Sequence, residues 1–172
     1  MLDRWFPGKL NCPLVSTDTN TMPNNASPLD AHLGFWMRFV SNQVSSEFER
    51  AVEARGATVS EWVALRTLYD GDGSTHAALV VALGMTKGAV SKVVSRLQDK
   101  GWVTRAAHAA DARAQVLALT PAGRALVPAL AREADANDAR FFGHLGARQR
   151  EQLMRTLQGL VRHHGLQQVP VA

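Results

Sequence analysis

Between Leu29 and Val52 apolar residues recur every three or four positions: Leu33, Trp36, Met37, Val40, Val44, Phe48 and Val52. That spacing predicts a long amphipathic helix, with Gly56 as its stop. In TVSEWVALRTLYDGDG, Ser60 is the expected cap of a second helix that carries Trp62, Leu65 and Leu68 on one face; DGDG ends it. STHAALVVALG predicts a third helix, capped by Ser74 and closing at Gly84. Thr86 then caps a fourth, which runs to Lys100 and stops at Gly101. Its apolar residues Val90, Val93, Val94 and Leu97 fall on one side, and Lys87, Ser91, Lys92, Ser95 and Arg96 on the other.

After Gly101 the period changes from about 3.6 to about 2. WVTRA and AQVLALT read as two short strands, joined by the polar turn AHAADAR. TPAG restarts a helix, with Thr120 as cap and Pro121 at its first position. Pro128 should bend this helix or mark a late start. A last helix, from about Ala147 to His164, places Leu153, Leu157, Leu160 and Val161 on one face. Residues 1–28, with Pro7, Pro13, Pro23 and Pro28, read as a flexible arm, and residues 166–172 as a tail. Trp5, Phe6 and Leu10 of the arm can still dock on a neighbour.

The predicted fold is mainly α with a small β-hairpin wing. A winged helix-turn-helix spans about residues 58–120, inside a domain of residues 29–165. Long helices flank it, at about 29–55 and 121–164. The fourth helix is then the recognition helix, with Gly84 in the tight turn before it. Its first two turns present Thr86, Lys87, Gly88, Ser91, Lys92 and Ser95. Small and hydroxyl side chains let DNA approach closely, and the lysines can meet phosphates or guanine acceptors. Arg96 lies deeper and meets the DNA backbone or pairs internally, while Asp99 and Lys100 are expected to be solvated.

Charge supports that reading. Between Gly84 and Arg113 stand six basic residues (Lys87, Lys92, Arg96, Lys100, Arg105 and Arg113) against the acids Asp99 and Asp111. The excess of four equals the net charge of +4 of all 172 residues, so the remaining chain is formally neutral. Arg113, at the end of the predicted turn, is placed to enter a minor groove. Asp111 is suited to orienting Arg113 or capping the turn rather than touching phosphate. The alternative is an ordinary exposed ion pair in a loop.

Other chemistries find little support. No apolar run of about 18 residues is present, so no membrane span is indicated. The first residues lack a secretory apolar stretch, which suggests a cytoplasmic protein. Cys12 is the single cysteine and cannot form an internal disulfide. His32, His76, His108, His144, His163 and His164 are scattered, so no metal site or other cofactor is expected. GDGSTHA follows a helix rather than a strand and lacks a third glycine, so it is no dinucleotide loop. No catalytic triad pattern or HExxH appears, and an enzyme is not expected. The alternative function is a winged-helix module for protein contacts without specific DNA binding. Such modules usually lose the basic residues that this chain keeps.

GMTKGAVSKVVSRLQDKGWVTR and DARAQVLALTPAGRAL, together with the helix order over about residues 29–165, resemble the MarR family of bacterial transcription regulators. The second stretch is similar to that family's wing signature. The resemblance implies a homodimer on double-stranded DNA, with the first and last helices intertwined. Leu33, Trp36, Met37 and Val40, with Phe141, Phe142, Leu145, Leu153, Leu157 and Leu160, offer the surface; the alternative is that they complete a monomer core. A two-fold dimer places its recognition helices on half-sites roughly 10 base pairs apart. Repression is the family default.

The resemblance also implies a small-molecule effector, commonly aromatic, bound between the dimer helices and the DNA-binding lobe. Residues suited to such a pocket are His32, Trp36, Arg38, Phe39, Asn42, Trp62 and Arg66. The competing expectation is that the tryptophans are core and the arginines intramolecular partners. Gly34 stands where the peroxide-sensing branch would place its cysteine.

Overall fold

In the computed structural model of the chain the residues described are 26–70, 74–108 and 111–166, with backbone only for 106–108 and 111–115. Two compact units are distinguished, Met1–Trp36 and Met37–Ala172. The described part of the first holds a 3-10 turn, Leu29–Ala31, and the start of helix α1 (Leu33–Glu53). There the Trp36 indole Nε1–H donates to the Asp30 carbonyl at 2.8 Å and the ring meets Phe35 edge-on.

The second unit continues α1 and adds α2 (Val59–Tyr69), α3 (His76–Leu83) and α4 (Lys87–Asp99). Strands β1 (Val103–His108) and β2 (Asp111–Leu119) follow, then α5 (Pro121–Phe142) and α6 (Ala147–His163). The predicted element order holds. Two caps differ from the sequence expectation. Thr58, not Ser60, caps α2: its hydroxyl accepts from Glu61 N while the Glu61 carboxylate accepts from Thr58 N, a reciprocal capping box. Thr75, not Ser74, caps α3. Ser74 instead exchanges two backbone hydrogen bonds with Leu117, each 2.9 Å, giving the hairpin a one-residue third strand.

The core lies where α2 packs against α3, α4, α5 and β2. Leu65 and Leu68 of α2, Leu79 of α3, Val90, Val93 and Leu97 of α4, and Val127 and Leu130 of α5 are fully buried. Removing such side chains from water supplies about 1.5–3 kcal/mol each before entropy is counted. The hairpin is antiparallel, Val103 opposite Leu119 through Ala107 opposite Gln115. The register then shifts, so that His108 pairs with Asp111.

Close backbone approach seats α5 on the hairpin base. Thr120 caps α5 through Gly123 N and also donates its hydroxyl to the Gly101 carbonyl at 2.7 Å. Its N–H donates to the Trp102 carbonyl at 3.0 Å. α5 starts at Pro121 and continues as one helix past Pro128, so no late start occurs. Arg55, in the turn after α1, pairs with Glu133 of α5, and Arg140 of α5 with Glu47 of α1; Arg150 of α6 pairs with Asp138 of α5. Along α6 every residue but Gly159 is exposed.

Candidate nucleic-acid interface

The turn between α3 and α4 is built as its sequence requires. Gly84 closes α3 at φ +62°, a left-handed conformation that costs glycine little, and its N–H reaches the Val80 and Val81 carbonyls. Across the break the helix axis turns by 108°, within the range of helix-turn-helix units. Thr86 caps α4 by accepting from Ala89 N at 3.3 Å. One face of α4 is buried through Val90, Val93, Val94 and Leu97, and Thr86, Lys87, Gly88, Ser91, Lys92, Ser95 and Arg96 are all exposed. A Cβ added at Gly88 would meet nothing within 4 Å, so internal packing does not require glycine there. The sequence reading missed one neighbour of this face: His76, the first residue of α3, places Nε2 3.1 Å from the Ser91 hydroxyl.

The far end of α4 is clamped from within. Glu61 is 0 % exposed and is the one buried charged residue among those described. Its Oε2 accepts from Lys100 Nζ at 2.7 Å and from Thr58 N at 2.8 Å. Lys100 also donates to the Gly56 carbonyl at 2.9 Å and lies 4.9 Å from the Trp102 ring centre. Lys100 is therefore not the solvated bystander that its sequence position suggests. Arg96 Nε stands 3.6 Å from Glu61 Oε1, an ion-pair distance too long for a hydrogen bond, and Oε1 has no hydrogen-bond partner. Of the two roles anticipated for Arg96, the internal pair is formed.

A buried carboxylate stripped of its cation is costly, and the half-exposed position of Lys100 moderates that cost. Lys100→Ala is expected to destabilise the fold by about 2 kcal/mol, a fall of roughly 4–8 °C in melting temperature for a chain of this size. In a Glu61→Gln background the same substitution should cost much less, because a neutral amide needs no cation. Calorimetry showing a change within 1 °C for Lys100→Ala would remove the clamp.

The hairpin differs from its expected form. Asp111 and Arg113 fall within β2, not in the turn, because the strands extend further than alternation suggested and absorb the difference in the register shift after Ala107. The side chains of both lie outside the described residues, as do Cys12 and the rest of residues 1–25 and 167–172. Among the residues named for an effector, His32, Trp36, Arg38, Phe39 and Asn42 are exposed. Trp62 is half-buried against the core. Arg66 pairs with Asp70 at 2.6 Å and lies 5.8 Å from the Tyr69 ring centre. Trp62 and Arg66 thus have intramolecular roles.

The geometry agrees with what the chain is similar to. A family model described as the MarR family matches residues 55–114, which span α2 to the wing. The HTH-type transcriptional repressor Rv2887 of Mycobacterium tuberculosis is 33% identical over 131 residues, 76% of this chain and 94% of that protein. Its crystal structure in complex with DNA aligns with a TM-score of 0.64 at 31% identity over 76% of this chain and 98% of that one. Its complex with p-aminosalicylic acid aligns at 0.60, with 31% identity over 75% and 98%. CouR of Rhodococcus jostii, bound to p-coumaroyl-CoA, shares the fold with a TM-score of 0.70 at 23% identity over 78% and 95%. The chain belongs to the MarR family of winged-helix transcriptional regulators.

Proposed function

We propose that the chain is a sequence-specific, cytoplasmic DNA-binding repressor that acts as a homodimer on a pseudo-palindromic operator and is released by a small aromatic ligand. The observation that carries it is the outer face of α4: Thr86, Lys87, Gly88, Ser91, Lys92 and Ser95 are exposed together at the N-terminal end of a helix held by its turn and its buried side. Phosphates are drawn to that end by the lysines and by the helix dipole, and the hydroxyls face base edges. Arg113 in β2 supplies the wing contact and Asp111 orients it.

Within this reading residues 58–120 are the DNA-binding lobe, and the helices of residues 29–55 and 121–164 form the dimer. Residues 1–28 and 166–172 are an arm and a tail. Exposed apolar residues support a second copy: Met37 and Val40 on α1, and Leu153, Met154, Leu157, Leu160 and Val161 on α6. The complexes of Rv2887 with DNA and with p-aminosalicylic acid support the partner and the ligand class. For the effector, this reading keeps Arg38, Phe39 and Asn42 of α1 as contacts.

Lys92→Ala is expected to weaken binding on all sequences alike and to reduce the salt slope of log Kd by about one unit. Arg113→Ala should weaken binding and also relax the preference for flanking A·T sequence. Fluorescence anisotropy titrations across salt concentrations measure both. A slope unchanged by Lys92→Ala takes that residue off the phosphates, and an unchanged flank preference in Arg113→Ala takes the wing out of the minor groove.

A further inference from the structure

Ser91 has one hydroxyl proton and two lone pairs. Two neighbours share that hydroxyl: the Lys87 carbonyl at 3.0 Å and His76 Nε2 at 3.1 Å. A carbonyl only accepts, so the Ser91 proton goes to Lys87 O, the usual bond of a helical serine to the residue four before it. Nε2 must then carry a proton and donate it to Ser91. The reverse assignment, with Ser91 donating to Nε2, leaves two oxygens facing each other at 3.0 Å without a proton between them. One lone pair of Ser91 is thus occupied by His76, and the other is free on an exposed residue.

We propose that His76 determines specificity by fixing the Ser91 hydroxyl as a pure hydrogen-bond acceptor on the recognition helix, so that it selects an adenine or cytosine amino group. The inference rests on the DNA-binding reading of α4. In the major groove adenine N6 and cytosine N4 donate, whereas guanine O6 and thymine O4 accept. A free serine rotates its proton to suit either kind of edge and discriminates little. A serine whose proton is held by Lys87 O, and whose second lone pair is held by His76, offers only acceptance. It therefore tells A·T from T·A and C·G from G·C at the base it faces. His76 does this from α3 without touching the base, so it is a positioning residue for Ser91.

The test is selection of bound duplexes from a randomised pool by the full-length protein and by Ser91→Ala, His76→Leu and His76→Gln. The wild type should select a site with one position per half-site at which A or C is favoured over G or T by about five-fold, the worth of one hydrogen bond. Ser91→Ala and His76→Leu should both flatten that position to below about two-fold while leaving the other positions unchanged. His76→Gln should keep the preference, because its amide can donate to Ser91. Melting temperatures of the three variants should stay within about 4 °C of the wild type, so that a lost preference is not a lost fold. A preference that survives His76→Leu overturns the inference, as does G or T at the position that Ser91→Ala flattens. If the wild type selects no site at all, the DNA-binding reading falls and this inference falls with it.

Discussion

Gly123→Ala is expected to lower the stability of the fold by about 3 kcal/mol, a drop of roughly 6–12 °C in melting temperature. The sign is the informative part, because alanine in place of glycine inside a helix ordinarily stabilises by about 0.5–1 kcal/mol. At Gly123 a Cβ would stand 2.1 Å from the Trp102 carbonyl oxygen and 2.9 Å from its carbon. Both atoms are backbone, so no side chain can swing aside. Relief requires α5 to move away from the hairpin base by about an ångström, which breaks the Thr120 N–H bond to Trp102 O and the hydroxyl bond to Gly101 O. Gly88→Ala is the internal control, with nothing within 4 Å of its added Cβ. It should raise stability by about 0.5–1 kcal/mol, yet weaken DNA binding if Gly88 lies against the duplex. Calorimetry on the two variants with shifts of the same sign would contradict this account of the α5 seat.

The same site shows what was legible in the sequence. TPAG announces a capped helix start, and the structure adds why glycine is the fourth residue: the first turn of α5 lies on the Trp102 backbone. Thr86, Gly84 and Gly101 likewise act where local rules place them, with both glycines at positive φ. The exposed face of α4 follows from its 3.6-residue period alone. Local rules failed where two candidates were equally good or where distant residues met. Thr58 and Ser60 are both acceptable caps. The carboxylate three residues after Thr58 was the readable sign in favour of the first. Ser74 is a plausible cap until its pairing with Leu117, 43 positions away, claims its backbone. The clamp on Lys100 depends on where α2 packs against α4, and the His76–Ser91 bond on the 108° turn between α3 and α4. Neither has a local pattern to reveal it.

If the chain forms the proposed homodimer, Leu157→Asp is expected to dissociate it, and with it high-affinity binding to the proposed operator. Leu157 is 40 % exposed within one copy, and Leu153, Met154, Leu160 and Val161 on the same helix are likewise exposed. An aspartate there forfeits the burial of a leucine and puts a charge in an apolar interface, together costing about 3 kcal/mol or more per copy. A two-fold interface carries the substitution twice, so the dimer constant should weaken by about 6 kcal/mol, on the order of 10⁴-fold. The folded monomer should persist, because α6 adds no buried residue to the core. Sedimentation velocity reads the outcome: a monomer with native circular dichroism is expected, and an intact dimer at micromolar protein would place α6 outside the interface.

The exposed polar face of α4 is proposed to read DNA sequence. The most direct measurement of this is competition binding of the full-length wild-type protein, at moderate salt, between a fragment selected from genomic DNA and random duplex of equal length. The selected, pseudo-palindromic fragment should bind at least about 10³-fold more tightly. Equal affinity for the two would contradict it.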